Sequence, residues 1–251
     1  MTWIDRSPTH EQYIAFCNLM DLHRMTLNWV KSVAEGTLSL PDHLSRVSSP
    51  GIKLTLEQLD QLSEDDLPTS FDEILKEWDP EDLIPTLDRI VKSMQAWILQ
   101  GLIDRTQQSD HESLINILEN SSFTSGSTIA QTRWAENIKS KPFTLDQAYN
   151  AFLYSPLGKS GQKGFLLERR KSTQTIEIET NILPLHSAYW EIKAVAPLVT
   201  RLHLQWMRGF MYRLNSQILV SEFDTNSLNT SGVSFTIHSE SPRSLNPPIF
   251  L

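Results

Sequence analysis

AVAPLVTRLHLQWMRGFMYRLNS, residues 194–216, carries Val195, Val199, Leu202, Trp206, Phe210 and Leu214 at spacings of three and four. That is the period of an apolar stripe on one long helix, and such a stripe needs a surface to cover it. The flanking sequence offers one. GFLLERR (164–170) and QTIEIETNI (174–182) precede the helix, QILVSEF (217–223) and VSFTIHS (233–239) follow it, and each run reads as a short strand. From Gly164 to His238 the chain is therefore expected to form a ββαββ unit, a small antiparallel sheet with the helix on one face. The other face of that sheet needs cover from the N-terminal helices or from a second subunit.

The chain before this unit reads as helical. The first helix is expected over about 9–34, opened by Ser7-Pro8-Thr9, with Phe16, Met20, His23, Leu27, Val30 and Ala34 on one face. Pro41, Ser48, Ser49, Pro50 and Gly51 break the chain into a loop. Thr55 to Gln58 and Ser70 to Glu73 are capping-box patterns that open two short helices, the second ending at Trp78. Asp79-Pro80-Glu81-Asp82 is a strong helix start, because Asp caps free amides, Pro suits the first turn and acids suit the positive dipole end. Ile84, Leu87, Val91, Met94, Ile98 and Leu102 follow as an amphipathic stripe, which places this helix at the centre of a bundle. Ser109-Asp-His-Glu112 caps a short helix bearing Leu114, Ile115 and Leu118. The small, polar run Ser121 to Ser127 reads as the most mobile loop. Further helices are expected over about 129–138 and from the Thr144–Gln147 capping box to Tyr154. The fold class is α+β: a helical region over 1–160, a ββαββ unit over 161–241 and an irregular, proline-containing tail over 242–251.

Composition narrows the function. At 251 residues, 39% hydrophobic, with seven Trp and ten Phe, the chain can bury a sizeable core. A net charge of −8 opposes general binding to nucleic acid or to anionic membranes, both of which need clustered positive charge. The single cysteine, Cys17, excludes an internal disulfide and suits a reducing cytosol. MTWIDRSPTHEQ has neither a basic region nor an apolar run, so no secretory signal is expected, and the expected location is cytoplasmic. Residues 1–143 hold 22 acidic and 12 basic side chains, whereas 144–251 hold 8 and 10. The acidic half suits an ordinary solvated surface, or a docking face for a basic protein partner centred on Glu64 to Asp82.

No motif here carries a chemistry alone. LGKSGQKG (157–164) has phosphate-loop residues but lacks the G-x-x-x-x-G-K-[ST] spacing and the strand-to-helix context. His186 and His203 flank the entry to the long helix beside Tyr189, Trp190 and Trp206, and imidazoles there can serve as an acid/base pair or simply line a core. Asp21-Leu22-His23, with His111, suggests a metal site between helices, against the simpler reading of His23 as a core residue packed between Met20 and Leu27. Arg201 and Arg208 lie seven apart and can share a face to clamp a carboxylate, or pair with Glu177, Glu179 or Glu191. Cys17 has no evident base, so nucleophilic catalysis lacks support. No cofactor or metal is implied.

The order hairpin, helix, strand, strand, closed by SQILVSEFDTNSLNTSGVSFTIHS, resembles the L-2-amino-thiazoline-4-carboxylate hydrolase-like family and the related vinyl-reductase-type small-molecule-binding domains. Those families open the helical segment with Cys-Pro, hold a Leu-Cys within it and close the sheet with an E-x-x-x-S-L-x-x-G-x-x-C-x-F run. The positions most nearly matching are Leu183-Pro184, Leu202-His203, and Glu222, Ser227, Leu228, Gly232, Phe235 and Ile237. The cysteines are absent from all three places. The resemblance covers about the last 90 residues and implies a small-ligand pocket between helix and sheet. Tyr189, Trp190, Trp206, Arg208 and Phe210 would line it, and His186 and His203 would supply its polar chemistry. The expected function is small-molecule binding, as a divergent enzyme acting on a C–N bond of a small cyclic or amide compound, with a homodimer as one way of covering the sheet. The rival reading is a non-catalytic interaction protein using the acidic helical face.

Overall fold

The computed structural model describes residues 9–35, 79–158, 166–172, 174–181, 195–223 and 232–239. Five α-helices and four strands lie within them: α1 (His10–Glu35), α2 (Pro80–Arg105), α3 (His111–Ser140), α4 (Leu145–Leu153), β1 (Leu166–Lys171), β2 (Thr175–Asn181), α5 (Ala196–Leu214), β3 (Ile218–Phe223) and β4 (Gly232–Ser239). The expected helices from Thr55 and Ser70, the tail 242–251 and most of LGKSGQKG lie outside the described residues.

Local signals place the helix starts. Thr9 opens α1 in a reciprocal bond with Gln12, each backbone amide donating to the other residue's side chain at 2.8 and 3.2 Å. Asp79 caps α2 by accepting from the Glu81 amide at 2.9 Å. Thr144 and Gln147 form the anticipated capping box on α4. Each satisfies amides that have no partner inside the helix.

The ββαββ unit forms as the sequence implies. The sheet order is β1-β2-β4-β3, with every neighbouring pair antiparallel. Ile176, Ile237 and Val220 align across three strands and are buried, as are Ile178 and Ile218 on the same face. The adjacent row, Glu177, Thr236 and Ser221, points the other way, as the two-residue strand period requires. All six residues of the α5 stripe are 0–1% exposed. The fold is α+β, and one hydrophobic core runs from Phe16 on α1 to Ile237 on β4.

The run Ser121–Ser127 is not a loop. It lies inside the 30-residue α3, which also absorbs both short helices expected on either side of it, with non-helical dihedrals only at Trp134. The reason is packing. Ser and Gly favour turns in isolation, but here their size lets α3 lie close to two neighbours at once. On one side Ser122 accepts from the Trp29 indole at 2.7 Å, Ser125 from Asn28 at 3.1 Å, and Ser121 from the Ser32 hydroxyl at 3.0 Å. On the other, a methyl group on Gly126 would overlap the Trp206 carbonyl oxygen, and one on Gly209 would overlap that of Phe123. Among the described elements α3, not α2, is therefore the central helix, with α1 and α5 both packed on it and α2 packed on α1. Paired residues on α3 and α5 hold a constant sequence offset, Glu119 with Arg201 and Gln131 with Arg213, so these two helices run parallel. The α1 pairs fall with α3 residues in reverse order, so α1 runs antiparallel to it.

Candidate functional site

The polar residues of α1 fall into a stripe of their own. Cys17, Asp21, Arg24 and Asn28 recur every three or four residues, and Ser125, Thr128 and Thr132 do so on α3. Antiparallel packing sets the two stripes face to face. Between them, with Met20, Met25, Ile129 and Arg133, they line a half-open cleft of about 290 Å³. That volume lies near the lower end for ligand pockets, and it is about twice that of a cavity able to hold benzene.

Asp21 is the electrostatic centre of the cleft. Its side chain is 8% exposed and forms a close ion pair with Arg133 Nη2, while Arg24 Nη1 lies 3.5 Å from its other oxygen. Arg133 Nη1 donates to Asn18 Oδ1 at 2.8 Å and to the Tyr154 carbonyl at 3.2 Å. Asn18 Nδ2 in turn donates to the Ser155 carbonyl at 3.3 Å. Arg133 thereby ties α1, α3 and the turn after α4 into one wall. It precedes the single residue of α3 whose dihedrals leave the helical range, Trp134.

Cys17 lines the same cleft. Burial pushes its thiol above the ordinary cysteine range; the Arg133 guanidinium pulls the other way, Asp21 adds to the rise, and a Tyr13 hydrogen bond and Arg24 oppose it. Desolvation dominates, so at neutral pH Cys17 is a thiol rather than a nucleophilic thiolate.

The residues singled out in the C-terminal unit have other surroundings. Trp206 and Phe210 stack with ring centroids 5.1 Å apart, and Phe152 meets Phe210 edge-on at 6.4 Å, all three rings inside the core. His203 is buried on the same helix. Arg208 Nε donates to the Val220 carbonyl at 3.1 Å, holding α5 to β3. Arg201 grips Glu119 through two nitrogens, with Gln205 joining at 3.3 Å, so Arg201 and Arg208 engage different partners rather than one carboxylate. His186, Tyr189 and Trp190 lie outside the described residues, as does most of the Glu64 to Asp82 acidic run, of which Asp79, Glu81 and Asp82 are exposed at the start of α2.

Among the described residues no group of three or more His, Cys, Asp or Glu side chains could hold a metal ion. His111 places Nε2 2.9 Å from the Thr106 carbonyl and 3.2 Å from that of Ile103, closing the end of α2. His23 is a buried core residue. No described helix is long and apolar enough to cross a membrane. No family model, curated protein or solved structure matches the chain.

Proposed function

We propose that this chain is a small-molecule-binding protein whose ligand occupies the α1/α3 cleft. The observation that carries this reading is a 290 Å³ cleft with a buried, doubly approached carboxylate at its centre. Flexible Met20 and Met25 give the apolar wall adaptability, while Asn28, Thr128 and Thr132 add a few orienting polar groups, the usual composition of a ligand site. The protonated Cys17 supports binding over covalent catalysis and fits a reducing, cytoplasmic setting. The resemblance to hydrolase-like small-molecule binders agrees in ligand size, although its residues lie in the other half of the chain.

Native mass spectrometry of protein purified from its own host tests the reading. The expected result is a small-molecule adduct that disappears in Thr128→Trp, which fills the cleft from its exposed rim. An adduct that survives in a folded Thr128→Trp protein places the ligand elsewhere. As the only thiol in the chain, Cys17 reports the location independently, because a bound molecule must slow its alkylation.

A further inference from the structure

The two outer strands of the sheet differ in how well they suit further pairing. β1 carries a register shift between Glu168 and Arg170 and four charged residues in succession, Glu168 to Lys171. A bulge and a run of charge both spoil a strand for pairing. β3 has neither. ILVSEF stays in register with β4 along its whole length, holds a single charge, and leaves Leu219 38% exposed. By composition it is the edge to which another strand would add.

Backbone parity shows which groups that edge offers. The Ser239 amide donates to the Gln174 carbonyl, on the β2 side, at 3.0 Å. Odd-numbered residues of β4 therefore turn their peptide groups toward β2, and even-numbered ones toward β3. Leu219, Ser221 and Phe223 stand opposite His238, Thr236 and Ser234 and pair with them, so Ile218, Val220 and Glu222 turn their peptide groups outward. Two of these outward groups are already taken. The Ile218 amide donates to the Asn215 carbonyl at 2.9 Å, and the Val220 carbonyl accepts from Arg208 Nε at 3.1 Å.

Val220 is the decisive position. When two copies of β3 meet antiparallel, edge to edge, every register that joins more than one pair of these outward residues includes it. In the fullest register Val220 meets its own copy, each amide donating to the other's carbonyl. Arg208 holds that acceptor. The same register draws the Arg208 side chains of both copies toward one two-fold axis, where like charges repel. Among the described residues no carboxylate pairs with Arg208 to cancel its charge.

We infer that Arg208 guards this edge: it keeps β3 from pairing with β3 of a second copy, and its loss lets the chain associate edge to edge. Arg208→Met keeps the unbranched stem and removes both the donor and the charge. Sedimentation of the full-length proteins over a concentration series, with amide exchange at Val220 and Ser221, tests the inference. Arg208→Met is expected to associate at concentrations about tenfold or more below those the wild type needs, since one hydrogen bond per copy no longer competes. Its Val220 amide should exchange more slowly as concentration rises, while the Ser221 amide, bonded to β4 in either state, keeps its rate. Association of Arg208→Met no stronger than that of the wild type overturns the inference, and so does association that leaves Val220 exchange unchanged. Faster exchange of both amides at every concentration overturns it too, leaving Arg208 as a strut between α5 and β3. The wild type is decisive on its own should the variant fail to fold. Its Val220 amide is expected to exchange readily at all concentrations; a slow Val220 amide at high dilution, or one that slows with concentration, shows the edge already covered or unguarded and overturns the inference.

Discussion

At the scale of single residues, the Asp21–Arg133 pair and Cys17 set ionisable groups where burial changes their energetics. Removing Arg133 takes the close ionic partner from a carboxylate that is 8% exposed. Arg133→Gln is expected to lower unfolding free energy by about 2 kcal/mol, less than for a fully buried pair because the arginine is partly hydrated; urea denaturation measures it. Cys17 makes stability depend on alkaline pH. Its folded pKa lies above the unfolded value, so the contribution is complete below the unfolded pKa and is lost as pH rises through the folded one. Wild-type stability should therefore fall on the alkaline side, and Cys17→Ala should flatten that fall; an unaltered alkaline limb in the variant would show another group to be responsible. Neither feature was legible from sequence. Asp21 stands out beside His23, but its partner lies 112 positions away, and no local pattern joins them.

At the scale of elements, close approach of α3 to α5 dominates. Gly126→Ala and Gly209→Ala each improve helix propensity by about 1 kcal/mol, yet the added methyl must push apart two backbones that touch at Trp206 and Phe123. Separation should win, and both variants are expected to melt earlier, with a net loss of 2 kcal/mol or more of the kind seen for overpacked cores. Ser122→Ala tests the opposite side of α3. It leaves the Trp29 indole N–H buried without its acceptor, at a cost of about 1–3 kcal/mol, whereas Ser122→Thr retains an acceptor at that position. These residues explain the misread loop. Propensity favours a turn at Ser121–Ser127, but a helix confined between two others needs small side chains more than it needs good helix formers. The α5 stripe was readable for the complementary reason: it faces sheet and helices together, so all six positions are buried and the period survives. On α1 the period blurs. Leu27 is 38% exposed although it belongs to the expected face, while Trp29 and Met25 beside it are fully buried.

At the scale of the whole molecule, the division at residue 160 separates the helical region from the ββαββ unit in sequence but not in packing. The core is continuous, and the tightest helix pair spans that boundary. Urea unfolding followed by tryptophan fluorescence and by far-ultraviolet dichroism should give one coincident transition. A chain ending at residue 160 should lose that sharp transition, since α3 would expose the face that α5 covers; cooperative melting of the fragment would instead establish two independent domains. The parallel arrangement of α3 and α5 has a kinetic consequence. Helix-rich proteins usually fold fast because their contacts are local. Here the bonded partners stand 82 residues apart between α3 and α5, and 89 to 115 apart between α3 and α1. Closing a loop of 82 residues costs about 4 kcal/mol of chain entropy before any contact rewards it. The helices should therefore appear well before the molecule is assembled, and the slow event in refolding should be the meeting of Gly126 with Gly209, a step that the chain's own connectivity delays.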